Sequence, residues 1–236
     1  MNISKSILIL ALFVCVSSYS FSQSVNIGIG YNIGIHTKVG GLDYVVGRYN
    51  DTRSWLKNKM ETPGFFRGMS YSMDFYDKNS LMTFEWIGRK SDLKASGVSS
   101  SGDYTRDYRF KMNSWNFGLG RKMKKKAGAK GNYLGMDFNM IIIKNYTRLY
   151  STGDKTPEYQ QISSWDLSLG IAPFIQHVGS RFTTKVYYQL SYLKNDYWEA
   201  NRVINSATWS SDPYEKLEGN SRSLGICVKY NLVKNK

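Results

Sequence analysis

VNIGIGYNIGIH, residues 25–36, alternates Val25, Ile27, Ile29, Tyr31, Ile33 and Ile35 with Asn26, Gly28, Gly30, Asn32, Gly34 and His36. Successive side chains of a strand point to opposite faces, so this segment makes a strand with one greasy face and one stripped down to glycine and asparagine. Alternation by itself fits any half-buried antiparallel strand. The chemistry of the polar face discriminates. A soluble barrel turns its apolar set inward and a Lys/Glu-rich set to water, whereas Gly and Asn are small groups suited to the cramped interior of a narrow barrel. Even positions from 26 to 34 are therefore expected to point inward, with Asn26 and Asn32 finding hydrogen-bond partners there. The Ile/Tyr face is expected to meet lipid.

Seven later segments repeat the pattern, around 68–75, 82–86, 114–119, 134–142, 164–171, 182–192 and 223–232. In each, Met, Phe, Trp, Leu, Ile, Val or Tyr alternates mainly with Gly, Ser, Asn, Thr or Asp; Met82, Phe84 and Trp86, for example, flank Thr83 and Glu85. The predicted connections run through about 37–66, 76–80, 90–105, 121–132, 144–160, 177–181 and 194–221, long and short in alternation. Outer-membrane barrels have that layout, with short periplasmic turns, long outer loops and an even strand number that leaves no open edge in lipid. The expected fold is an all-β, eight-stranded antiparallel up-and-down transmembrane β-barrel.

Composition agrees. Aromatic residues make up 15% of the 236, with 18 Tyr and 6 Trp, while mean hydropathy is only −0.42. The chain is rich in interface residues without a greasy run of the ~20 residues a spanning helix needs. Its start, MNISKSILILALFVCVSSYSFSQ, has the layout of a secretory signal peptide: Lys5, an apolar run from Ile7 to Val16, then a Ser-rich stretch. Ser20-Phe21-Ser22 suits cleavage before Gln23, although Ser18-Tyr19-Ser20 serves the same rule. The expected division is a signal peptide over 1–22 and one barrel over 23–236. Cys15 then leaves with the signal and Cys227 stands alone, so no internal disulfide is expected.

The signal layout, the eight amphipathic strands and the last strand, SLGICVKYNLVKNK, resemble the small outer-membrane β-barrel proteins of Gram-negative bacteria, the OmpA/OmpX-like and PorT-like group. Ser-Phe-Ser before Gln resembles export signals common in the Bacteroidota. The resemblance implies outer-membrane residence, recognition of the last strand by the barrel-assembly machinery, and, for PorT-like proteins, a partner in a secretion machine. The chain departs from the pattern in ending on Leu232 and Val-Lys-Asn-Lys where an aromatic is usual.

Asp74, Glu85, Asp137 and Asp166, with Lys185 and Lys229 of opposite sign, fall on the inward face. Charges this deep must pair, since an isolated buried ion is far too costly. An interior polar network filling the lumen is expected, in preference to an ion path. His36 and His177 sit at predicted strand ends on opposite sides of the membrane, so they cannot share a metal. An acyl-transfer site needs His with a nucleophile and a carboxylate in hydrogen-bond reach. Only Asp43 accompanies His36, so an interfacial polar role is preferred. No cofactor, metal or catalytic residue is expected.

Residues 40–66 place Leu42, Val45, Val46, Tyr49 and Leu56 on one helical face, predicting a helix over about 41–58 that caps the barrel mouth or lies along the interface. Residues 195–220 set Tyr197, Trp198, Trp209 and Tyr214 among polar residues, as candidate loop contacts for a partner or, equally, as an extension of the aromatic girdle or a loop packed onto itself. The net charge of +14 is concentrated at RKMKKKAGAK, 121–130, on a periplasmic turn where anionic phospholipid is the expected neighbour. Lys38, Arg48, Arg53, Lys57 and Lys59 in the outer loops are set to meet lipopolysaccharide phosphates. Nucleic acid is not an expected partner of an exported barrel. The leading expectation is a non-enzymatic barrel for envelope structure or surface interaction; the alternatives are passage of a small hydrophobic ligand through the loop-covered mouth and a lipid-modifying enzyme around His36.

Overall fold

The computed structural model describes residues 24–77, 79–124, 128–151, 153–162, 166–205 and 214–233, without the side chains of 214 and 215. The expected signal peptide and Trp209 lie outside the described residues. Eight long strands follow one another: β1 (Ser24–Val39), β2 (Phe65–Asp77), β3 (Ser80–Ser99), β4 (Gly102–Lys122), β5 (Gly131–Ser151), β6 (Asp166–Val178), β7 (Phe182–Ser191) and β8 (Ser221–Asn231). Each pairs antiparallel with its neighbours in sequence, and β1 pairs with β8, so the sheet closes on itself.

The pairings fix the geometry of the ring. From Ser80 the ladder passes through Arg121, Leu134, Ile175, Val186, Ile226, Ile33 and Arg67 and returns to β3 at Lys90, ten residues further along. Ten residues at ~3.3 Å against eight strand spacings of ~4.8 Å give a strand tilt of about 40°, inside the usual range for a small closed barrel. The start of β1, the end of β8, and the paired strand ends Asp77 and Ser80, Lys122 and Gly131, and Val178 and Phe182 share one rim; Val39 and Phe65, Ser99 and Gly102, Ser151 and Asp166, and Ser191 and Ser221 lie at the other.

The faces are as the opening strand predicts. Ile27, Ile29, Tyr31, Ile33 and Ile35 are exposed, and Asn26 and Asn32 are fully buried. Asn26 donates from Nδ2 to Asn231 Oδ1 at 2.9 Å, and Asn32 Oδ1 accepts from the Tyr187 hydroxyl at 3.1 Å. The glycines receive large neighbours: a Cβ on Gly30 would stand 2.6 Å from Lys229 Cγ, and one on Gly34 2.5 Å from the Phe66 ring. An apolar outside around a polar, filled inside is the architecture of a transmembrane barrel.

Two expected loops turn out to be strand. The predicted connection at 90–105 is a continuation of β3 and β4 to a tight hairpin between Ser99 and Gly102, and the one at 144–160 is β5 as far as Ser151. Over this extension the faces exchange chemistry. On β3 the outward residues change from Met82, Phe84 and Trp86 to Lys90, Asp92 and Lys94, while Leu93 and Ala95 turn inward. On β4, Trp115 and Leu119 give way outside to Arg109 and Lys111, and Tyr108, Phe110 and Met112 fill the inside. On β5, Phe138 and Met140 are followed outside by Lys144 and Arg148, with Ile141 and Ile143 inside. The outward apolar stretch of β3 below Lys90 reaches down to Met82, which at ~3.3 Å per residue and about 40° of tilt is a band roughly 20 Å thick.

Candidate functional site: the charged interior and its cap

The middle of the barrel is built around five charges. Lys185 Nζ of β7 lies 2.9 Å from Glu85 Oε2 of β3 and 2.6 Å from Asp137 Oδ2 of β5. Lys229 Nζ of β8 lies 3.5 Å from Asp74 Oδ2 of β2 and 3.5 Å from Glu85 Oε1. Glu85 bridges the two ammonium groups. Thr83 donates to Asp74 at 2.6 Å, and Gln176 and the Tyr76 hydroxyl donate to its other oxygen at 3.4 and 3.3 Å. These five side chains, drawn from five strands, are all buried. Each ion is held by opposite charge or by hydrogen bonds in a medium where an unpaired ion costs several kcal/mol.

Asp166, the sixth expected member, stands elsewhere. It begins β6 at the loop rim, where burial and then the charge of Asp196 hold its carboxyl above the ordinary value. Arg89 of β3 is the interior cation that the sequence reading missed. Its guanidinium donates to Gln189 Oε1 at 2.5 Å, Ser114 Oγ at 3.1 Å and the Tyr187 hydroxyl at 3.4 Å, with Phe66 beneath. With Arg89 the buried set holds three carboxylates and three cations, so its formal charge is zero. Toward the turn rim the interior continues as an apolar layer of Tyr76, Leu81, Tyr133, Phe174 and Val178. Lys122, in the basic stretch expected to face phospholipid, folds back instead and donates to the Gly128 carbonyl at 2.7 Å.

The loop rim is sealed by an apolar cap. Helix α1 (Leu42–Asp51) buries Leu42, Val45, Val46 and Tyr49. It is shorter than the predicted 41–58. Thr52 turns its hydroxyl back to the Arg48 carbonyl at 2.8 Å, and Leu56–Asn58 leaves the helix to pair with β3 at Gly97 and Ser96. The buried face meets Leu93, Tyr108, Phe110, Met112, Ile141 and Ile143 of the extended strands, so α1 plugs the mouth. Helix α2 (Trp198–Asn205) adds Ala200 and Ile204 from the last long connection. Asn205 donates to the Val45 carbonyl at 3.1 Å and Arg53 to the Ile204 carbonyl at 3.0 Å, locking the two helices together. Arg53, which also lies 4.1 Å over the Tyr49 ring, is a strut of this cap.

Of the four aromatic residues in 195–220, Tyr197 and Trp198 have described side chains, and both pack into the cap. Tyr197 is completely buried in the cap, so it is no surface contact. Its phenol is held well above the ordinary value by burial and by Asp166 and Asp43. Trp198 packs partly buried against the same core. Tyr214 begins the short helix α3 (Tyr214–Leu217), its side chain outside the described residues, as is Trp209. His36 sits between Phe66 and Phe110, ring centroids 4.8 and 5.5 Å away, and neither ring nitrogen has a hydrogen-bond partner among the described residues. Asp43 is exposed on α1. His177, at the opposite rim, has Nδ1 2.6 Å from Asn132 Oδ1 on the outer surface.

No family model matches the chain, and no curated protein matches it. Among solved structures it is similar to the crystal structure of Ail, the attachment invasion locus protein of Yersinia pestis, with 11% identity and a TM-score of 0.39, over 88% of this chain and 97% of that one. A likeness at that level carries nothing about activity. The fold class, an eight-stranded antiparallel up-and-down barrel, rests on the strand pairings themselves.

Proposed function

We propose that this chain is an outer-membrane barrel protein whose filled interior makes it an anchor, and whose capped loop rim is a rigid platform for contacts at the cell surface. The observation that carries the reading is the exchange of faces on three adjacent strands: β3, β4 and β5 each turn apolar residues outward below one level and charged residues outward above it. A strand in water throughout has no reason to move its apolar set from one face to the other. A strand that leaves lipid and enters water has one, because the outside ceases to be hydrocarbon and the inside must then supply a core. The band of roughly 20 Å approaches the ~25 Å apolar belt of such barrels.

Activity is read from the same interior. The five central charges and Arg89 hold one another or neighbouring amides and hydroxyls, which favours a structural plug over a transport path. The cap supports surface interaction, including the partner in a secretion machine that the PorT-like resemblance implies. Fractionation of native envelopes tests the placement: the protein is expected in the outer membrane, as a folded barrel that runs faster on a cold gel than after boiling. Recovery as a detergent-free periplasmic protein would overturn the reading.

A further inference from the structure

We propose that the outer wall at the loop rim is a docking surface for the phosphate groups of an outer-leaflet glycolipid. The inference rests on the membrane placement above and names the partner of that wall. Arg67 of β2 pairs in the ladder with Lys90 of β3, Lys90 with Lys111 of β4, and Lys111 with Lys144 of β5. All four point outward. Ladder partners stand ~5 Å apart, so four cations occupy about 15 Å of one row.

Like charges directly opposite one another destabilise a sheet, and little nearby relieves them. Asp92 is drawn to Arg109 at 2.5 Å and lies 3.8 Å from Lys90. Asp107 is held by Arg148 at 2.7 Å. Among the described residues no carboxylate pairs with Arg67, Lys111 or Lys144. Lys111 instead lies 4.8 Å over the Tyr146 ring.

The row sits where the outward face changes from apolar to charged. Phe65 and Met69 flank Arg67, Trp86 precedes Lys90 on its face, Trp115 follows Lys111, and Ile142 precedes Lys144. Acyl chains packed on the residues below therefore bring a headgroup to the cations above. Further along β3, beside Asp92 and Lys94, the wall opens into a cavity of about 670 Å³ that is also lined by Lys57, Lys59 and Glu61. Its mixed charges are polar partners for the headgroup sugars. Phosphate dianions seated between adjacent lysines turn the repulsion along the row into attraction.

The test uses the full barrel in phosphatidylcholine nanodiscs doped with lipid A bearing two phosphates or with the same lipid dephosphorylated, bound lipid being counted by native mass spectrometry. Preference for the phosphorylated form is expected, and Arg67→Gln/Lys90→Gln/Lys111→Gln/Lys144→Gln should weaken it by roughly 600-fold, since each of the four cations at an anionic lipid surface contributes about a factor of five. Arg222→Gln, on β8 away from the row, should leave it unchanged. Equal retention of both lipids, an unaffected quadruple variant, or displacement by millimolar inorganic phosphate as effective as by lipid A would overturn the proposal while leaving the barrel in its membrane. Failure of the native protein to enter nanodiscs as a folded barrel would instead overturn the membrane placement.

Discussion

Lys185 is the residue on which the interior is most dependent. It satisfies Glu85 and Asp137 at once, and among the described residues no other cation forms an ion pair with Asp137. Lys185→Met should therefore cost about 3–5 kcal/mol, the penalty of leaving buried charge uncompensated. Adding Glu85→Gln and Asp137→Asn should return much of it, because a neutral network of similar volume is close to isoenergetic with a buried ion pair. Urea unfolding in detergent micelles, followed by gel mobility, measures both. Gly30→Val tests the space at the opening strand: the new side chain would meet Lys229 and the Val228 carbonyl, an overpacking expected to cost about 1–3 kcal/mol. At this scale the sequence was legible for charges at mid-strand, but alternation gives a side chain's face and not its depth, so Asp166, at the rim end of β6, falls outside the network. Asp74, Glu85, Asp137, Lys185 and Lys229 come together in space, while Arg89 was passed over because it lay against a presumed loop at 90.

Elements were legible by periodicity, up to the point where the periodicity changes phase. On β4 the apolar set is odd-numbered through Trp115, Phe117 and Leu119 but even-numbered through Tyr108, Phe110 and Met112. A criterion that follows one face reads that switch as the end of the strand, which is why β3, β4 and β5 were all cut short. The same switch creates the cap core, with each buried apolar side chain contributing roughly 1.5–3 kcal/mol. Val45→Asp should unseat α1 and make residues 41–61 sensitive to protease added outside, while the heat-shifted gel band of the barrel persists. The cap also carries a pH dependence. Since burial and Asp196 raise the Asp166 carboxyl, its ionisation works against the folded cap. The cap is therefore tightest in acid and loosens as pH rises through the raised value. Asp166→Asn should remove the dependence, seen as slower exchange of the 197–205 amides near neutrality after correction for intrinsic rates.

For the molecule as a whole, closure of the ring and filling of its bore act together. Charge-neutral packing at mid-depth, an aromatic layer below and a helical cap above leave three successive barriers between the rims. Planar-bilayer recordings should show no discrete conductance for the native protein, and none for Val45→Asp, in which the two lower barriers survive. Architecture was the most legible level of all, because lipid forces every backbone group to pair and an even count of two-faced strands has one way to do so. The cap was least legible, since its packing joins α1 to α2 across distant parts of the chain.

The exchange of faces on β3 to β5 also sets a direction for biogenesis. Lys90, Lys94, Arg109, Lys111, Lys144 and Arg148 stand beyond the apolar band, so they must cross the bilayer before the barrel is complete. Each Lys or Arg costs about 2–4 kcal/mol at the bilayer midplane. Closure itself waits for β1 to meet β8, partners such as Gly28 and Asn231 at nearly opposite ends of the chain, a pairing of very high contact order. Until then the cap residues Tyr108, Phe110 and Met112 have neither lipid nor α1 to cover them. The protein is thus expected to insert slowly and aggregate readily in thick bilayers without an assembly catalyst, and to fold fastest where the membrane is thinned.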